Sequence, residues 1–431
     1  MALTTERDSR ETRRPLNRWP FSFADSRLNP WRGLDGLPRE VWLLFATNLI
    51  NRAGMMVLPF LIVYLTRELH FSPGEAGLAF ALYGAAAIVA GPVSGRLSDR
   101  IGALPIMRVS LLLSGTVVLL FPMARTRASV YAATVIWSAC AELFRPASLA
   151  AITHAVSPEQ RKPAYALNRL AINLGMSIGP ALGGFLAAVS YRAMFVVDAS
   201  TTLGAGLVLT LASWRSATRA SDDSLKDKPE VGDARGVLRD RRLMVFLAAT
   251  FLVGIVFYQH ESALPLYMVQ NLGLSPAFYG TLFTINTLLI VALEVPINRA
   301  TAEWPHAWAL FAGCILFAIG FGALAIVTTA TGILVTVVLW TFGEMMLFPA
   351  MAAHLGDVAP EEQRGSYMGA YSMALSLALT VGPWFGTQLL ARRGPAGVWS
   401  TMFGLGALAA ALMVYAAPHR RSLRVPIGAE S

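Results

Sequence analysis

Charge is scarce in this chain. Only 14% of its 431 residues are Asp, Glu, Lys or Arg, while 55% are hydrophobic. Soluble domains carry about 25% charged residues. A soluble globule of this length would need more polar surface than the sequence supplies, and a disordered chain would need far more. Cysteine is nearly absent as well. Cys140 and Cys314 are the only two, and both fall inside apolar runs. They read as buried thiols, not as a disulfide. Zinc-type Cys/His spacing is missing, and so is any G-x-x-x-x-G-K-[ST] loop. Neither a metal, a cofactor nor nucleotide-driven pumping is expected. The net charge of +9 would suggest nucleic acid in a soluble protein. In a membrane protein it is the default, because Lys and Arg collect in cytoplasmic loops. No nucleic-acid partner is expected.

What the chain has in abundance is apolar length. A helical span needs about 20 apolar residues. Twelve such stretches follow one another between Val41 and Ala417. The pattern predicts an all-α integral membrane protein. Residues 1–40 form an N-terminal tail, 41–214 a first group of six spans, and 215–242 a polar central loop. Residues 243–417 form a second group of six, and 418–431 a C-terminal tail. Lys and Arg concentrate in the two tails, the central loop and the other even-numbered loops. The odd-numbered loops hold only Arg67, Arg125, Arg127, Arg192, Arg392 and Arg393. The positive-inside rule therefore predicts that both termini are cytoplasmic.

The two groups of six are related. A shift of 203 residues lays Tyr64 on Tyr267, Ser72-Pro73 on Ser275-Pro276, and Gly77 on Gly280. It also lays Pro146-Ala147 on Pro349-Ala350, Gly179-Pro180 on Gly382-Pro383, and Gly183 on Gly386. One shift held across loops and helices is the mark of duplication. Two parallel six-helix halves enclose a cleft near mid-membrane, an architecture that moves solutes. No enzyme chemistry is expected.

Two motifs carry a resemblance. The loop after the second span reads Gly95-Arg96-Leu97-Ser98-Asp99-Arg100-Ile101-Gly102. It resembles the G-x-L-a-D-r-x-G signature of the major facilitator superfamily. The usual basic pair is replaced by Ala103 and Leu104, with Arg108 further on. The resemblance implies a cytoplasmic gate formed by Gly95, Arg96, Asp99, Arg100, Gly102 and Arg108. The fifth span contains Gly175, Gly179, Pro180, Gly183 and Gly184 in the order G-x-x-x-G-P-x-x-G-G. That order is similar to the motif of the superfamily's antiporter branches. The whole chain looks most like the multidrug-resistance-type proton antiporters. Glycines at i, i+4 and i+8 also make a flat stripe for close helix packing, which requires no transport role.

Ionisable groups inside spans are costly and mark function by default. Candidates for proton coupling are Glu261, Glu344, Glu142, Arg145, Arg52 and Glu294. Glu142 and Arg145 stand three apart on one helix and are expected to face the same way. Glu344 has no basic residue near it in its own span. Glu294 is placed to reach the gate arginines, and Asp198 to make a structural hydrogen bond. The resemblance implies that the first, fourth, seventh and tenth spans line the cavity. They offer Asn48, Met55, Met56, Phe144, Phe257, Tyr258, Trp340, Phe342 and Met345. This soft, aromatic wall suits lipophilic compounds. The expected function is export of lipophilic small molecules in exchange for protons across a cell membrane, by a monomer using alternating access. A proton symporter for a sugar, peptide or organic acid is the alternative. A sensor on the same fold is the second alternative.

Overall fold

The computed structural model describes residues 36–212, 214, 239–360 and 363–417. Most of the two tails and of the central loop lies outside the described residues. What is described is helical throughout, as a bilayer demands. Each backbone N–H and C=O there must find a partner within the protein.

Among the described residues, eleven helices are long and apolar enough to span a membrane. In chain order they are α1 (Arg39–Arg67), α2 (Pro73–Ile101), α3 (Ala103–Met123), α4 (Arg127–Ala155), α5 (Pro158–Val189), α6 (Tyr191–Leu211), α7 (Arg241–Asn271), α8 (Pro276–Ala300), α9 (His306–Ala325) and α10 (Ala330–Val358). The eleventh, Arg364–Ala416, is twice the usual length. Gly394 interrupts it at φ 68°, a left-handed backbone that glycine adopts without strain. It is therefore two spans, α11 (364–393) and α12 (395–416), which makes the expected twelve.

The repeat is visible in the geometry. Ser72 and Ser275 each cap the helix that follows, accepting from the amides of Glu75 and Phe278, with proline next in line. α5 packs on α1, where Gly179 faces the carbonyls of Arg52 and Met55 and Gly183 faces Met56. α11 packs on α7 at the equivalent places, Gly382 on Ile255 and Gly386 on Gln259.

The halves meet through α2 against α11 and α5 against α8. Gly77 of α2 abuts Thr387 and Trp384, and Gly84 abuts Thr380. Gly280 of α8 abuts Pro180, Ala181 and Gly184. Gly91 lies two turns beyond Gly84 on the same face of α2, yet nothing stands within 4 Å of where its Cβ would be. Gly369 repeats this on α11, three turns before Thr380. The two helices touch on the far side of the bundle and part toward the side that carries the termini. The cleft is open on the terminal side. Far-side closure is completed by the outer parts of α1 and α7. Residues Met56–Leu65 of α1 include an unbroken buried run from Pro59 to Leu65, and Ser262–Val269 of α7 are buried without interruption.

Candidate substrate and proton site

Three of the cleft helices break at mid-membrane, and a proline explains each break. Proline has no N–H for the carbonyl four residues back and clashes with it. Pro59 thus disrupts α1 at Met55 and Met56, which lie outside the helical segments Arg39–Gly54 and Val57–Arg67. Pro146 disrupts α4 at Glu142 and Leu143. Pro265 disrupts α7, which tightens at Tyr258–Glu261 and turns at Ser262 with φ −127° and ψ −82°.

Side chains from neighbouring helices satisfy the freed backbone. Ser110 and Ser94 donate to the carbonyls of Cys140 and Leu143, at 2.7 and 2.6 Å. Tyr279 donates to the carbonyl of His260 at 2.8 Å, and Gln259 reaches Ile255 and Gly382. Asp198 of α6 caps the second part of α1. One of its oxygens accepts from the amides of Met56 and Val57 at 2.9 and 2.8 Å. It makes the structural hydrogen bonds expected of it.

The break in α4 changes the reading of Glu142 and Arg145. They flank the interruption, and among the described residues they form no ion pair. Glu142 instead accepts from Tyr83 Oη at 3.1 Å. Arg52 leans on the sulfur of Met55 at 3.3 Å. Arg52, Tyr83, Glu142 and Arg145 line one cavity of mixed polar and apolar character in the N-terminal half. Across the cleft, Tyr258 is within electrostatic reach of Arg145, Glu142 and Glu261. The sequence candidates Arg52, Glu142 and Arg145 therefore share one cavity, with Tyr258 and Glu261 in electrostatic range of it.

Glu261 has His260 beside it, at 3.7 Å between Nε2 and a carboxylate oxygen. His260 is held among rings, 4.5 Å from Phe257 and 5.9 Å from Trp340 between centroids. Glu344 stands apart from this group. Its partner is neutral: Asn286 of α8 donates to it at 3.0 Å and to Thr341 at 2.9 Å. Glu294 does not go to the gate. Arg169 of α5 grips both of its oxygens, at 2.8 and 3.0 Å, across the boundary between the halves. Sequence reasoning missed this pair because its members are 125 residues apart.

The expected gate is not joined in this state. Asp99, Arg96 and Arg100 are exposed, and nothing stands within 4 Å of a Cβ at Gly95. Among the described residues no hydrogen bond or ion pair holds Asp99. Gly102 ends α2 at φ 92°. Arg108 is drawn away to the carbonyl of Leu209 on α6, at 2.9 Å. The open terminal side accounts for the separation of these groups.

Several cavity candidates are buried in helix contacts. Asn48 donates to Ser148 on α4 at 3.1 Å. Met56 packs beneath Gly183, and Trp340 stacks on Phe321 at 5.6 Å. Met345 is also buried, while Phe342 is half-buried. Met55 and Phe144 line the mixed cavity, and Phe257 and Tyr258 are half-buried on α7. The glycines of α5 serve contact. Gly175 and Gly179 admit the backbone of α1, and Gly184 admits α8.

Two six-helix repeats, a mid-membrane cleft closed on one side, and broken helices around buried charge define a secondary membrane transporter. The chain belongs to the major facilitator superfamily, whose family model matches residues 44–275 and 261–430. It is 26% identical to the uncharacterized MFS-type transporter YqjV of Bacillus subtilis, over 90% of this chain and 97% of that one. It is 24% identical to a Na(+), Li(+), K(+)/H(+) antiporter of Planococcus maritimus, over 78% and 88% of the two chains. Multidrug resistance protein MdtH of Yersinia pestis is 24% identical over 80% and 84%. Among solved structures, a POT family transporter in complex with 5-aminolevulinic acid superposes with a TM-score of 0.74 at 13% identity. That match covers 90% of this chain and 98% of the other, and it shows the shared fold.

Proposed function

We propose that this transporter exports lipophilic small molecules in exchange for protons, with both termini in the cytoplasm. The observation that carries the reading is the placement of two intramembrane acids that neither Lys nor Arg pairs among the described residues. Glu344 is held by Asn286, and Glu261 by neither Lys nor Arg among the described residues. An acid that is unpaired in low dielectric marks a proton or ion path. Glu261 and Arg145 both lie within electrostatic reach of Tyr258, so the proton of Glu261 and a substrate held near Arg145 would influence each other. A proton drives export only when its affinity differs between the two facing states. Relatives named for cation/proton antiport and for multidrug resistance support this direction. The terminal-side opening would then be the inward-facing state, with Asp99 released from its latch.

The test is proton movement in inside-out vesicles as a panel of lipophilic compounds is added, followed by sugars and peptides. Proton release from the vesicle lumen on adding a lipophilic compound is expected, and Glu261→Gln should abolish it with folding intact. Substrate-linked proton movement in the opposite sense, with sugars or peptides, would establish symport in its place. Wild-type turnover by both Glu261→Gln and Glu344→Gln would remove the proton-site assignment.

A further inference from the structure

The N-terminal half holds two guanidiniums, the inward Arg52 and the exposed Arg145, that no carboxylate pairs at salt-bridge distance among the described residues. Arg52 sits at the break of α1, and its Nε is buried without a hydrogen-bond partner. One terminal nitrogen rests on the sulfur of Met55, and a thioether is a weak acceptor. Arg145 lines the same cavity from the broken part of α4. No carboxylate is within salt-bridge distance of either guanidinium among the described residues. Glu142 shares the cavity wall, accepts from Tyr83 and offsets one of the two charges without contact, which leaves the second positive charge over. Asp198 is committed to the amides of Met56 and Val57. The remaining lining includes Ser110, Ser114 and Trp137, which are polar or aromatic and leave the space unfilled.

Burying a charge in low dielectric is costly unless it is paired and hydrogen-bonded. A guanidinium offers several donors in a planar fork that suits a carboxylate. Arg52 is positioned by close packing: α5 approaches its carbonyl at Gly179, where a Cβ would stand 2.8 Å away, and the Asp198 cap holds the next turn of α1. On α7 the rings of Phe257 and Tyr258 lie 5.4 Å apart, and Tyr258 is within electrostatic reach of Arg145. A molecule lying between them would meet cations at one end and aromatic surface at the other.

We infer that Arg52 and Arg145 form an anion subsite, and that the substrate is an amphiphilic organic anion such as an aromatic carboxylate. This rests on the transport reading above and narrows its substrate class. The anionic group would take the donors of Arg52, and the apolar body would lie toward Phe257 and Tyr258. Charge-assisted hydrogen bonds to guanidinium are short and strong, so an uncharged isostere should lose most of this attraction.

The test uses purified full-length protein in detergent and two probes of nearly equal shape, 2-naphthoate and 2-naphthamide, followed by titration calorimetry. Naphthoate should bind at least about tenfold tighter than the amide, the margin of one charge-assisted bond. Arg52→Gln should remove that margin, weakening naphthoate more than the amide, and Arg145→Gln should reduce it. Arg52→Lys should keep part of it, because the charge remains and the fork is lost. Equal binding of the two probes by the wild-type protein would overturn the inference. Retention of the full margin in both glutamine variants would do the same. If Arg52→Gln does not fold, the wild-type comparison and Arg145→Gln still decide. A naphthoate preference without any proton exchange would remove the antiport reading and keep the subsite. Proton exchange driven by lipophilic cations, with no naphthoate preference, would do the reverse.

Discussion

Arg67 and Gln270 stand at equivalent points of the two repeats, and each donates a hydrogen bond into the opposite half. Arg67 reaches the carbonyl of Val269 at 3.0 Å, and Gln270 reaches Thr66 at 2.8 Å. Together they tie the far-side ends of α1 and α7. Both bonds must break when the far side opens, so they weight the equilibrium toward the state observed here. A hydrogen bond of this kind contributes about 1 kcal/mol net. The double variant Arg67→Ala/Gln270→Ala should raise thiol labelling of a cysteine at Val63, which is buried in this state. A rise of roughly five- to thirtyfold matches the loss of one to two such bonds. Unchanged labelling would mean that the far side is held by apolar packing alone.

The pair Arg169–Glu294 also joins the halves, but on the terminal side of the α5–α8 contact. Its arginine side chain is 67% exposed and its glutamate 20%. Solvent therefore limits the coupling to about 0.5–1 kcal/mol in a double-mutant cycle. Each single neutralisation should lower the transport rate by a few-fold, and the reversal Arg169→Glu/Glu294→Arg should recover most of it. A reversal that transports no better than the singles would remove the pair from the conformational cycle.

Glycines predict stability site by site. A Cβ on Gly179 would stand 2.8 Å from the carbonyl oxygen of Arg52 and 3.1 Å from that of Met55. Both are backbone atoms at the break of α1, which Asp198 pins in place. Gly179→Ala should cost about 1–3 kcal/mol as overpacking. At Gly382, the repeat equivalent, the first neighbour is 3.3 Å away, so the same change should cost less. Gly204 in α6 has nothing within 4 Å, and Gly204→Ala should be neutral or slightly stabilising. Thermal melts of the three variants in one detergent give the ranking. Equal effects at Gly179 and Gly204 would contradict the close approach of α5 to α1.

The repeat, the twelve spans and the glycine stripe were legible in the sequence because each is a pattern along one chain direction. Gly179 and Gly382 announce themselves by spacing. The functional geometry was not legible, because it depends on partners far apart in sequence. Asp198 meets Met56 from 142 positions away. Glu142 and Arg145 look like neighbours on a helix face only if α4 is continuous, and Pro146 ends that continuity. The signal was present in the residues: Pro59, Pro146 and Pro265 each lie four positions after a break. Read as helix breakers, they would have placed Met55, Glu142 and Glu261 at the interrupted turns. The gate motif was legible too, yet among the described residues no hydrogen bond or ion pair holds Asp99, and a sequence does not say which conformational state is populated.

Asp198 supplies the last prediction. It is 3% exposed and accepts the amides of both Met56 and Val57, the first donors of the second part of α1. Those amides have no intrahelical partner, and a carboxylate also complements the positive end of the helix. Removing the acceptor with Asp198→Ala leaves two buried donors unsatisfied, at a cost of about 1–3 kcal/mol each. Asp198→Asn keeps a carbonyl oxygen for them and loses only the charge, so it should be the milder change. The melting temperature should therefore fall in the order wild type, Asp198→Asn, Asp198→Ala. Because the cap sets the position of Arg52 one turn earlier, Asp198→Ala should also weaken whatever Arg52 binds. Equal melting temperatures for the alanine variant and the wild type would show that the break in α1 does not depend on Asp198.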